Sequence, residues 1–197
     1  MIGLGTIINV IGIIFGGLIG IFCKRLITHR IQDTLMKANG VCVLFLGIAG
    51  TLEQMLSIED GHLSSNGTMM MILSLSIGVL IGECINLDYR MEQFGQWLKN
   101  KTGNAKDSLF VDGFVTASLT VCIGAMAIVG ALQGSVTLLA TCIEPLMTEA
   151  ALSNLSLVGN MLIFCVGVNL VWDNTKIKVA NMLPAILVAI AWAFLPL

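Results

Sequence analysis

A chain of 197 residues that is 56% hydrophobic and only 11% charged carries too few charges to cover a soluble domain of its size. It reads as one polytopic membrane unit whose first partner is the lipid bilayer. The net charge of -2 says little about partners, because the sidedness of the few charged loops matters more than their sum, and no basic run points to nucleic acid, which is not expected as a partner.

Residues 2–23 form the first predicted crossing, closed by Lys24 and Arg25. No basic stretch precedes the apolar run and no A-x-A-like exit follows it, so it reads as a retained helix rather than a cleaved signal. Gly5, Asn9, Gly12, Gly16 and Gly20 share one helical face, where glycines at every fourth position let another backbone approach closely. That ridge serves internal packing or a homo-oligomer, and Asn9 serves an interhelical hydrogen bond or a site. Residues 24–38 are amphipathic, with Ile27, Ile31 and Leu35 four apart, which predicts a helix along the membrane surface. Residues 39–56 make the second crossing, with Gly40, Gly47, Gly50 and Gln54 near one face and Glu53 at the water. The loop 57–67 that follows has no lysine or arginine.

The third crossing spans residues 68–87, where Ser74, Gly78 and Gly82 form a ridge of small residues. Ser76 and Glu83 share a neighbouring face seven residues apart. Glu83 is either a carboxylate inside the span or one that snorkels to the interface. Residues 88–106 are a second surface stretch, with Met91, Phe94, Trp97 and Leu98 as its apolar stripe and Lys99, Lys101 and Lys106 beside it.

The chain is organised around residues 107–133, long enough to cross as a helix yet carrying a carboxylate near the start. Asp112, Thr116, Thr120 and Gly124 recur at every fourth position and so lie on one stripe. A charged group near the membrane centre costs about 2.5–3.5 kcal/mol on insertion scales, so Asp112 is expected to face other helices, water or an ion. Residues 134–143 are too few to cross and read as a re-entrant or interfacial piece. The fifth crossing spans 155–172, with Asn160, Phe164 and Gly167 on one face. The last spans 179–197 and is interrupted at Pro184, which leaves a carbonyl without its donor.

Lysines and arginines concentrate in 24–37, 90–106 and 176–178, which places those regions in the cytoplasm. The expected fold class is therefore all-α: a bundle of about six crossings with both termini outside, arranged as a 3+3 inverted repeat. The halves are 1–88 and 107–197, joined by the interfacial linker 89–106 within a single transmembrane domain. Six cysteines lie about one to each apolar segment without a C-x-x-C pair, and read as buried small residues. His29 and His62 fall in loops, which argues against a histidine-held metal in the membrane, and no cofactor is expected.

The opening GTIINV with GGLIG, the LIGE of the third crossing, GFVTASL with CIGAMAIVGALQ, GSVTLL and the closing NMLPA together resemble the bacterial membrane family named domain of unknown function 554. The likeness runs through nearly the whole chain and is most specific over 110–133. That family carries the label of a sodium channel or pump, which implies a cell-membrane protein handling a small cation but supplies no established site residues. Its members carry a further apolar stretch where Gln133 and Gly134 are here joined directly, so this chain is expected to be a shortened member.

The residues themselves point to a cation path. Hard cations take oxygen ligands, and the acidic side chains of Asp112 and Glu83 with the hydroxyls of Thr116, Thr120 and Ser76 offer them, with Asn9 as a further candidate. The expected function is a transporter or channel for Na⁺ or H⁺. The alternative is a non-transporting membrane protein: an assembly partner, a lipid-binding module or a sensor. An enzyme is not expected, since no histidine sits in a span to pair with a serine or cysteine.

Overall fold

The computed structural model describes Ile11, Phe15 and residues 28–59, 61–101, 148–172 and 176–195. Most of these are helical. The first helix, α1, runs unbroken over His29–Met55. The sequence suggests a surface helix ending near residue 38 and a separate span, and the structure replaces both with one helix of 27 residues. At 1.5 Å per residue it is about 40 Å long, more than the hydrocarbon thickness of about 30 Å, so it is long enough to cross with tilt or with an end beyond the lipid core. Asn39 and Gly40 look like a boundary in sequence. In the fold Gly40 instead lies against Leu170 and Val171, and the close approach of two helices explains the glycine.

The predicted loop after α1 is a β-hairpin. Strand β1 (Leu56–Glu59) pairs antiparallel with β2 (His62–Ser65), with Ile58 opposite Leu63 and Glu59 opposite His62. Positions 60 and 61, Asp-Gly in sequence, separate the strands, and Gly61 takes φ 78°. An Asp-Gly pair between alternating apolar and polar residues is the hairpin signal that reading the segment as a plain loop misses.

Helix α2 (Thr68–Ile85) ends at Asn86, whose left-handed backbone at φ 53° turns the chain into α3 (Leu87–Lys101). Asparagine is among the few non-glycine residues that accept this conformation readily. The apolar stripe expected on α3 is split by the fold. Met91 packs towards the core and Gly95 is buried, whereas Phe94 and Trp97 are exposed and stack with centroids 5.7 Å apart, with the Lys101 ammonium 5.2 Å from the Trp97 ring.

Helix α4 (Glu149–Val171) starts before the predicted residue 155 because Thr148 caps it, its Oγ1 accepting from the Ala151 N–H at 3.2 Å, with Glu149 in the first turn. The closing apolar segment is α5 (Val179–Met182) and α6 (Pro184–Trp192), interrupted at Leu183. Pro184 has no N–H for the Ala180 carbonyl, and the Leu183 N–H takes that place at 3.3 Å.

Two antiparallel pairings build the bundle. Along α1 and α4, Gly40 meets Leu170, Leu44 meets Gly167, Gly47 meets Phe164 and Gly50 meets Asn160. Gly78 of α2 meets Ala185 of α6, and Gly82 meets Asn181 of α5. Between these pairs lies a core that includes Leu157, Val158, Leu162, Val166, Val179, Ala180 and Ala185. Lipid tails are as apolar as leucine, so close van der Waals packing through small residues holds such helices together.

Arg30–Met55, Thr68–Ile85 and Glu149–Val171 are long and apolar enough to cross a membrane, and Val179–Trp192 is a shorter apolar segment. The predicted first crossing, apart from Ile11 and Phe15, lies outside the described residues, as do the span 107–133 and the piece 134–143. Of the cysteines expected to be buried, Cys165 is buried but Cys42 and Cys84 are exposed. They sit on the outer faces of α1 and α2, where the ridge of small residues turns the other way.

Candidate functional site

Two of the sequence-selected residues are described. Ser76 lies on the exposed face of α2 and donates its hydroxyl proton to the Ile72 carbonyl at 2.8 Å, a bond within its own helix. Glu83 is two turns further along, off the buried ridge of Met70, Ser74, Gly78 and Gly82. Among the described residues Ser76 bonds to the Ile72 carbonyl and Glu83 pairs with Lys178. Asp112, Thr116, Thr120 and Asn9 lie outside the described residues.

Glu83 instead belongs to a polar cluster where α2 ends and α5 begins. Its Oε2 is 3.8 Å from the Lys178 ammonium, with the two side chains 48% and 55% exposed. A pair this long and this wet adds little stability. The Asn169 carboxamide fixes the turn that carries Lys178 by accepting from the Ile177 N–H at 2.8 Å and donating to the Ile177 carbonyl at 2.7 Å. On the other side, Arg90 Nε donates to the Ile85 carbonyl at 3.1 Å and satisfies one of the open carbonyls at the end of α2.

Asn181 is the buried member, 1% exposed. Gly82 makes room for it: a methyl there would fall on the Asn181 main-chain carbonyl. Its Oδ1 accepts from the Asp88 N–H at 2.7 Å, which joins α5 to the first turn of α3 and fixes which end of the amide is oxygen. Among the described residues its Nδ2 has no hydrogen-bond partner. A buried donor left open costs about 1–3 kcal/mol. Positions of this kind persist where they meet a water, an ion's counter-charge or a passing ligand.

Burial raises the Asp88 carboxyl above its ordinary 3.8; nearby Lys178 opposes the rise, Glu83 adds to it, and Lys176 opposes it. A carboxyl raised on folding stays protonated more readily in the native state. Its contribution to stability is therefore greatest below pH 3.8 and declines as the pH climbs through the raised value. Asp88→Asn removes that decline. Thermal unfolding in detergent is expected to show the variant gaining on the parent across this interval, with the two converging below pH 3.8.

In chemical terms the cluster sets two carboxylates, the exposed Glu83 and the half-buried Asp88, near the Lys178 ammonium. Glu83 and Asp88 are the oxygen donors, and Lys178 competes with any cation for Glu83. No group of three or more histidine, cysteine or acidic side chains gathers to hold a metal among the described residues. Sequence reasoning misses Asn181, Asp88 and Lys178. The signal was present in the K-V-A-N-M-L-P run, where an asparagine precedes the helix-breaking Pro184 by three residues.

The profile of a family described as a protein of unknown function, DUF554, matches residues 4–136 and 131–194. The chain is also similar to the uncharacterized membrane protein YdfK of Bacillus subtilis (strain 168), with 28% identity over 228 positions that cover 93% of each chain. Those positions outnumber the 197 residues here, so the relative carries residues without a counterpart. The two family matches meet around Gln133 and Gly134, where the shortening is expected. No solved structure matches the chain. With three long apolar helices among its described residues it is a membrane protein, and it belongs to the DUF554 family of proteins of unknown function.

Proposed function

We propose that this protein conducts or carries a small cation, Na⁺ or H⁺, through the cell membrane, with Glu83 and Asp88 at the cytoplasmic mouth of the path. The observation that carries the reading is the meeting of two carboxylates, Glu83 and Asp88, beside the interrupted α5–α6 segment, since oxygen is what a hard cation takes; the open Asn181 N–H is a donor and ligates no cation itself. Discontinuous helices line the ion sites of many transporters because they present polar backbone where a continuous helix presents none. Asp112, Thr116, Thr120, Ser76 and Asn9 are assigned to the deeper part of the path on sequence grounds. No catalytic role is assigned.

The pairing of α1 with α4, and of α2 with α5 and α6, supports the inverted-repeat topology. In six crossings numbered from the N-terminus, these are the second with the fifth and the third with the sixth, each antiparallel. A two-fold axis in the membrane plane relates such partners. Both termini then lie outside, with α3 and the 176–178 turn inside.

The test is flux of Na⁺, K⁺ and H⁺ into liposomes holding the purified protein, compared with Asp112→Asn, Glu83→Gln and Asp88→Asn. Flux above that of empty vesicles, cut severalfold in Asp112→Asn and in at least one of the other two, is the expected result. Parent flux equal to empty vesicles, or unchanged in all three variants, overturns the reading.

One observation favours the non-transporting alternative. An apolar crevice of about 180 Å³ opens between α1 and α4, lined by Gly47, Ile48, Thr51, Leu52, Met161 and Phe164. It fits part of an acyl chain, as a lipid-binding module requires. Lipid retained through purification in a protein without flux would decide for it.

A further inference from the structure

The hairpin between α1 and α2 is tied firmly to the two spans that carry it. The Asn66 N–H donates to the Met55 carbonyl at 2.8 Å, and the Asn66 side chain donates to Ser57 Oγ at 2.9 Å, so the base of the hairpin is closed against the end of α1. Its register sorts the side chains by chemistry. Leu56 faces Ser65 and Ile58 faces Leu63 on one surface, while Ser57 faces Ser64 and Glu59 faces His62 in register on the other.

The apolar surface is uncovered. Ile58 is 79% exposed and Leu63 71% exposed, and Leu56 and Met69 beside them are 40% and 70% exposed. Two large aliphatic residues paired across a hairpin normally pack against something. Here the surface continues directly into the exposed apolar flanks of α1 and α2, where Leu52, Ile72 and Leu73 face outward from helices long enough to cross the bilayer. No lysine or arginine occurs from residue 38 to residue 89, so the contact cannot rest on attraction to lipid phosphates.

We propose that the 56–65 hairpin is a membrane-seated wedge, with Leu56, Ile58 and Leu63 buried among the acyl chains just below the headgroups and its serine face turned to water. The partner is the lipid surface itself, and the wedge fixes the depth and tilt of α1 and α2. In sequence Ile58 is followed by Glu59 and Asp60, whose charges are costly in hydrocarbon and so limit how deep this stretch can sit. The inference is independent of ion conduction.

The experiment is site-directed spin labelling of the full chain in liposomes, with Ile58→Cys, Leu63→Cys and Ser64→Cys each made after the six native cysteines are replaced. Accessibility to oxygen, which concentrates in lipid, is compared with accessibility to a water-soluble nickel chelate. The labels at 58 and 63 are expected to show an oxygen-to-nickel ratio severalfold above that at 64. Equal nickel accessibility at 58 and 64 overturns the proposal, and so does protection of 58 from both reagents, which would mean that protein covers the face. Ile58→Trp in the chain with its native cysteines gives a second reading: its added fluorescence should be quenched by lipids brominated near the headgroup end of the acyl chain. Added fluorescence untouched by those lipids also overturns the proposal.

Discussion

Gly82→Leu is expected to abolish the folded bundle, destabilising it by more than about 3 kcal/mol, near the upper end of what overpacking does. Any side chain at this position points into the main chain of Asn181, whose carbonyl and Cα occupy the space a Cβ would take. A flexible neighbour could move aside, but this one is backbone, held by the Asn181–Asp88 hydrogen bond on one side and by the Val179 and Ala180 packing on the other. The helices must therefore separate, and the contact of Gly78 with Ala185 one turn away opens with them. Gly82→Ala is expected to cost less but still about 2 kcal/mol, because even one methyl meets the carbonyl. Gly61→Ala is the control. Nothing lies within 4 Å of its added methyl, and only the strain of φ 78° remains, about 1 kcal/mol. Detergent-to-SDS unfolding titrations measure the series; a Gly82→Leu protein within 1 kcal/mol of the parent would show that α2 and α5 do not meet here.

That contact also marks how far the sequence could be read. The ridge of Ser74, Gly78 and Gly82 is legible because small residues four apart have one common use in a membrane helix, and the structure buries all three. The interruption at Pro184 is legible for the same sort of reason: proline has a fixed chemical consequence wherever it falls. The partner of the ridge is not legible. Which helix meets Gly82, and that it does so with the backbone of Asn181, depends on contacts about a hundred residues apart that no local pattern encodes. The continuous α1 was hidden because Asn39 and Gly40 carry a boundary signal that tertiary packing overrides. On the candidate site, Glu83 was found by its charge in an apolar run. Asn181 was missed because nothing local sets it apart from Asn9 or Asn160; its burial and its bond to the Asp88 N–H do, and both come from tertiary structure.

Gly47→Leu is expected to have the second largest effect, about 3 kcal/mol, by prising α1 from α4 at the middle of their shared length. The added Cβ would lie 2.7–2.8 Å from the N, Cα and Cβ of Phe164, and a mid-helix backbone cannot retreat without moving the whole helix. Gly50, one turn along, provides the contrast. The atoms nearest its Cβ would be the carboxamide end of Asn160, at 2.5–2.6 Å, and that side chain can rotate away at the loss of a weak 3.4 Å hydrogen bond to Ser156. Gly50→Ala should then cost about 1 kcal/mol. Asn160→Ala clears the space, so the double variant should recover most of the Gly50→Ala loss, a coupling of about 0.5–1 kcal/mol between neighbours. No such rescue is available at Gly47, because removing the Phe164 ring leaves its backbone in place. If Phe164→Ala rescues Gly47→Leu as fully as Asn160→Ala rescues Gly50→Ala, the obstruction is side chain rather than main chain, and α1 and α4 lie further apart than described.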